Sequence, residues 1–191
     1  MALVKPVPSP ETTTAYRKGL AELIDLGRAP SGLPAAEYPQ QIYALDLKDV
    51  GLGTGIEHAK PVVWQFLLGS ASGPAFAADV VHPLPGRPPK MTSLAHGPLI
   101  AMAIRASQEV EVLPEVQAND YELRRLWVSG LGIRAFWLKA LDDRADLAVP
   151  YHALAEELKG MQAYAMEEFM SVVQRLARKR LKFDDSPRHR R

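Results

Sequence analysis

Proline sets the first limit on this chain. Thirteen of its 16 prolines fall within residues 1–98, and only Pro114, Pro150 and Pro187 follow. Proline lacks an N–H and its ring clashes with the preceding helical turn, so the first half is predicted to hold strands, loops and one short helix. The second half has room for longer elements. Hydrophobic residues are 47% and charged residues 24% of 191 positions, the balance of a chain with a packed core. With no cysteine, disulfides, thiolate zinc sites, iron–sulfur clusters and a cysteine nucleophile are excluded. Met1 to Pro6 lacks the apolar run of a signal peptide. No apolar stretch approaches the ~20 residues of a membrane helix. A cytoplasmic location without a membrane span is the expectation.

Ser9 offers an N-cap, Pro10 a first helical position and Glu11 an acidic first turn, with Tyr16, Leu20, Leu23 and Ile24 at helical spacing. A helix over 10–26 is predicted, then a loop over 28–40. Tyr43, Leu45 and Leu47 alternate as in a strand, and 48–61 reads as a glycine-rich loop. Strands are predicted at 62–68, 75–81, 91–95, 121–128, 133–141 and 147–149. Pro98 opens a helix that Pro114 ends. A helical turn over 152–159 precedes a helix over 165–182, where Met166, Phe169, Met170, Val173, Leu176 and Ala177 mark one face.

These elements predict an α+β fold: a mainly antiparallel sheet of five to seven strands with three helices, in the order α-βββ(β)-α-ββ(β)-α. Hairpin connections dominate, so the helices are placed on one face. Residues 1–8 form an extended lead, 9–182 a single domain and 183–191 a basic tail. The order is similar to that of small secretion-chaperone-like domains, a likeness of element order that no motif carries.

Two strands break the usual alternation. In 62–68, Val62, Trp64, Phe66 and Leu68 share one face and Val63 and Leu67 the other. In 133–141, Ile133, Ala135, Trp137 and Leu141 oppose Phe136, Leu138 and Ala140. Both strands must be covered twice. Helices on one face leave the other bare, so the loop 82–90, a second copy of the chain or a ligand is expected there. Trp64, Phe66, Trp137 and Phe136 are the expected partner-contact residues.

Chemistry-bearing templates fail at named residues. Gly51, Gly53 and Gly55 lack the third fingerprint glycine, since position 56 is Ile56, and Ile56-Glu57 stands where a Walker loop needs Lys and Ser or Thr. In 69–73, Ala71 occupies the place of a nucleophilic serine. Glu57 with His58, and His152 with Glu156 at i, i+4, are the candidate acid–base or metal-ligating residues. Arg124, Arg125 and Arg134 can meet an anionic ligand or pair with Glu122. Residues 175–191 carry eight cations and two carboxylates, so +6, and the other 174 residues are −5. Arg178, Lys179, Arg188, Arg190 and Arg191 are therefore candidate anion contacts, although cations also suit a helix C-terminus.

Three functions are open to such a chain. The first is a non-catalytic interaction module that forms a homodimer or docks a protein partner. The second is a small hydrolase using the His/Glu pairs. The third is a nucleic-acid-associated protein using its basic tail. No cofactor and no metal are expected.

Overall fold

A computed structural model describes residues 3–33, 36–69, 73–81 and 87–184. Its elements run β1 (Leu3–Val4), α1 (Pro10–Asp25), β2 (Ala36–Ala44), α2 (Leu47–Gly51), β3 (Lys60–Gly69), β4 (Ala75–Val81), β5 (Lys90–His96), α3 (Pro98–Val110), α4 (Pro114–Gln117), β6 (Tyr121–Val128), β7 (Ile133–Ala140), β8 (Leu147–His152), β9 (Tyr164–Ala165) and α5 (Met166–Asp184).

The fold is α+β, with five helices and one mixed sheet of nine strands among the described residues. The path is β5-β4-β3-β2-β6-β7-β8-β9, with β1 beside β6. Pairings are antiparallel except β2 with β6 and β1 with β6, which are parallel. Strand count and helix count thus exceed the sequence expectation. Leu3 and Val4 pair with Tyr121 and Glu122, so the predicted lead contributes a strand. β2 begins at Ala36 rather than Tyr43, because its pairing with β3 overrides the loop signal of Pro39. Leu47 belongs to α2, which Asp46 caps by accepting from Lys48 N. No helix forms over 152–159.

Where local signals were strong they prevail. The Ser9 hydroxyl accepts from Thr12 N and starts α1 as predicted. The β3–β4 hairpin closes at Gly69, whose φ of +107° favours glycine; a Cβ there would lie 2.0 Å from the Pro74 carbonyl oxygen.

The helices lie on both faces of the sheet. On one face α1 brings Tyr16 onto Trp64, Phe66, Leu68, Ala78 and Val80. Tyr16 and Phe66 stack with ring centroids 4.1 Å apart. α5 covers the same face farther along, placing Phe169, Met170 and Val173 against Leu126, Ile133, Ala135 and Trp137. On the opposite face α3 brings Ala103, Ile104 and Val110 onto Leu67, Leu123, Phe136 and Leu138.

This arrangement overturns the one-sided layout. Trp64, Phe66, Trp137 and Phe136 are 6%, 3%, 5% and 0% exposed, all beneath the chain's own residues. They are core residues and offer no open contact surface. The two-sided pattern was real, but α3 supplies the second cover. Burying each aromatic is worth about 2–3 kcal/mol to the fold. Of the loop named as an alternative cover, residues 82–86 lie outside the described residues.

Candidate functional site

Side chains of β3, β4, β5, β6 and β7 form a polar cluster beneath the start of α3, apart from the buried Gln40–Ser107 bond that joins β2 to the body of the helix. Gln65 on β3 opposes Asp79 on β4, and Asp79 in turn opposes Ser93 on β5. Arg125 on β6 opposes Phe136, and Trp127 opposes Arg134 on β7. Residues of like parity share a face, so Gln65, Asp79, Arg125, Trp127 and Arg134 all turn toward α3. α3 begins at Pro98, so only its first turns border them. A cleft of about 290 Å³ remains, walled on its other side by Ala95, His96, Pro98, Leu99, Ile100 and Ala103.

Arg125 lies at its base and is 0% exposed. Its Nε and Nη2 both donate to the Tyr151 hydroxyl, the former at 3.1 Å, and its Nη1 donates to Gln65 Oε1. Every one of these acceptors is neutral. No carboxylate of the described residues forms an ion pair with it. A guanidinium has five N–H groups, and three are used, so two are left without an acceptor among the described residues. A buried charge in this state is costly unless something neutralises it.

The neighbouring groups share the deficit. The Trp127 indole N–H is buried and has no acceptor among the described residues. Arg134 stacks over the Trp127 ring at 5.1 Å and has no hydrogen-bond acceptor among the described residues. Gly97, with φ of +132°, gives α3 no side-chain cap, so the positive end of the helix dipole faces the same region. Asp79 supplies the one carboxylate. Gln65 Nε2 donates to its Oδ1 at 2.7 Å and the Ser93 hydroxyl to its Oδ2 at 2.9 Å. The Gln65 amide therefore stands between Asp79 and Arg125 and keeps the two charges from pairing directly.

The other sequence candidates disperse. Glu57 and His58 do meet, Nδ1 to Oε1 at 3.0 Å, because they sit on a 3-10 turn rather than a strand. Both are exposed, and the Gly55 N–H and His58 hold the Glu57 carboxyl below its usual range after its own backbone N–H. No hydrogen bond or ion pair joins His152 to Glu156. The i, i+4 spacing brings groups together only on a helix, and β8 runs extended through His152. The described residues hold no group of three metal-ligating side chains. Arg124 pairs with Glu122 at 2.6 Å and lies between Tyr43 and Trp137. Arg178 donates to the Gly51 carbonyl and ties α5 to α2, whereas Lys179 lines a separate groove beside Leu154. Gln174 donates to the carbonyls of Gly53 and Thr54, so the glycine-rich segment is docked on α5. Arg188, Arg190 and Arg191 lie outside the described residues.

Of the cleft residues, the sequence singled out Arg125 and Arg134 but not Gln65, Asp79 or Trp127. One signal was present: Gln65 is the lone polar residue in the buried run Val62 to Leu68. No family model, curated protein or solved structure matches this chain.

Proposed function

We propose that this chain is a non-catalytic recognition module that binds a compact carboxylate in the cleft at the start of α3. One observation carries the reading: Arg125 is fully buried, its acceptors are all neutral, and two of its N–H groups have none among the described residues. An anion seated there neutralises the charge and fills the vacant hydrogen bonds together, and such charge-assisted bonds are the strong ones. Arg134 and the Trp127 N–H add donors from the side.

The chemistry of the cleft is that of holding rather than transforming. Guanidinium, amide and indole groups donate hydrogen bonds at neutral pH without exchanging protons; of the two lining residues that can exchange them, Asp79 already accepts from Gln65 and Ser93, and His96 stands on the apolar wall against Phe76. Arg125, Arg134 and Asp79 together carry one net positive charge, which suits a monoanion over a phosphate dianion. The volume lies at the small end of ligand pockets, and one wall is apolar, so the carboxylate belongs to a small, partly aliphatic molecule. This reading keeps the non-catalytic character expected from the sequence and replaces its protein partner and sheet aromatics with a small ligand in this cleft.

Thermal unfolding in the presence of 3-methylbutanoate, inorganic phosphate or chloride at equal ionic strength tests the reading. A rise in Tm specific to the carboxylate, lost in Arg125→Met, supports it. Equal responses to all three, or a rise that survives Arg125→Met, overturns it.

A further inference from the structure

The cleft contains two charges that are not paired with each other. Arg125 is a buried cation with no anionic partner, and Asp79 is a half-buried anion with no cationic partner among the described residues. A single side-chain amide separates them. Gln65 turns its Oε1 to Arg125 and its Nε2 to Asp79, with 2.7 Å on the second bond. That amide has an acceptor at one end and a donor at the other, a few ångströms apart. An α-amino acid has the same polarity in stronger form, with a carboxylate and an ammonium on one carbon.

We infer that the ligand of the cleft is a zwitterionic α-amino acid, its carboxylate held by Arg125 and Arg134 and its ammonium by Asp79. This rests on the carboxylate reading above and adds the second charge to it. Asp79 has capacity for the role. Its two oxygens accept one bond each from Gln65 and Ser93, and a carboxylate offers about four acceptor positions. Trp127 and Arg134 are stacked at the side where the carboxylate would project. The side chain of the ligand then meets Pro98, Leu99, Ile100 and Ala103, which favours an aliphatic group over a charged one.

Binding to the full chain is measured by titration calorimetry with three probes on one carbon skeleton. L-Valine carries both charges, 3-methylbutanoate lacks the ammonium and 2-methylpropylamine lacks the carboxylate. Valine is expected to bind about tenfold tighter than 3-methylbutanoate, with the amine weaker than either. Asp79→Asn keeps an oxygen for Gln65 and removes the charge, so it should bring valine to within about threefold of 3-methylbutanoate without weakening the latter. Arg125→Met should lose both. Should 3-methylbutanoate bind as tightly as valine, the zwitterion is overturned and the carboxylate site stands. Should neither bind, both fall. The wild-type comparison decides the matter even where Asp79→Asn does not fold.

Discussion

Gln65 Nε2 lies 2.7 Å from Asp79 Oδ1, and that bond settles which end of the amide faces Arg125. With the nitrogen committed to the carboxylate, the oxygen is left to accept from the guanidinium. A buried cation is thus solvated by an oriented dipole rather than by an opposite charge.

Removing that dipole should cost more than removing the cation. Gln65→Leu leaves a buried charge with one neutral acceptor fewer, a loss above the about 1–3 kcal/mol of a neutral group because the donor left unsatisfied is charged. Arg125→Met leaves the Tyr151 hydroxyl and Gln65 oxygen without a donor, at about 1–3 kcal/mol, but removes the buried charge. Urea unfolding should therefore rank Gln65→Leu as the less stable single variant. The double variant Gln65→Leu/Arg125→Met should regain stability over Gln65→Leu alone; a double variant weaker than both singles contradicts the account.

Trp64 tests the two-sided cover. If α1 seals it as described, Trp64→Ala should cost about 3–5 kcal/mol of stability. Sedimentation velocity should give the same association state for wild type and variant. A change in association state with stability intact would return Trp64 to an interface.

Asp146 ties the loop before β8 to β7. Its Oδ2 accepts from Trp137 Nε1 at 2.7 Å and its Oδ1 from Ala140 N at 2.9 Å. Asp146→Ala strands a buried indole N–H and a backbone N–H, so a loss of about 2–3 kcal/mol is expected. Asp146→Asn keeps one oxygen acceptor and should lose less. Denaturant midpoints of the pair check the order.

Glu157 carries the pH dependence of the α5 groove. Its hydrogen bond from Arg175, at 3.0 Å, is the main cause that holds its carboxyl below the usual range, with its own backbone N–H next. A lowered midpoint means that the folded chain binds this proton less tightly than the unfolded one. The stabilisation is present above the ordinary glutamate value and is lost as pH falls through the lowered one. Carboxyl-detected NMR should show the Glu157 midpoint rising in Arg175→Ala. The stability difference between the two proteins should vanish in acid.

Gly69 reports on the β3–β4 turn. Gly69→Ala places a methyl against the Pro74 carbonyl and demands a left-handed backbone, so a loss of about 1–3 kcal/mol is expected. Calorimetric Tm measures it.

The sequence by itself determined the elements whose signals are local. Ser9 and Pro10 start α1, the face of Phe169, Met170 and Val173 marks α5, and the 121–140 hairpin closes through Gly132 at φ +64°. It also showed that the strands around Trp64 and Trp137 are covered twice. Only the tertiary structure decided what covers them, because which side of a sheet a helix crosses to is set by connections and packing that leave no periodicity in the chain. The cleft is the same case. Gln65, Asp79 and Arg125 are separated by 14 and 60 residues, on strands whose order depends on the parallel pairing of β2 with β6. Each of these polar residues is unremarkable on its own strand, and the cleft forms only where the sheet aligns them beneath the start of α3.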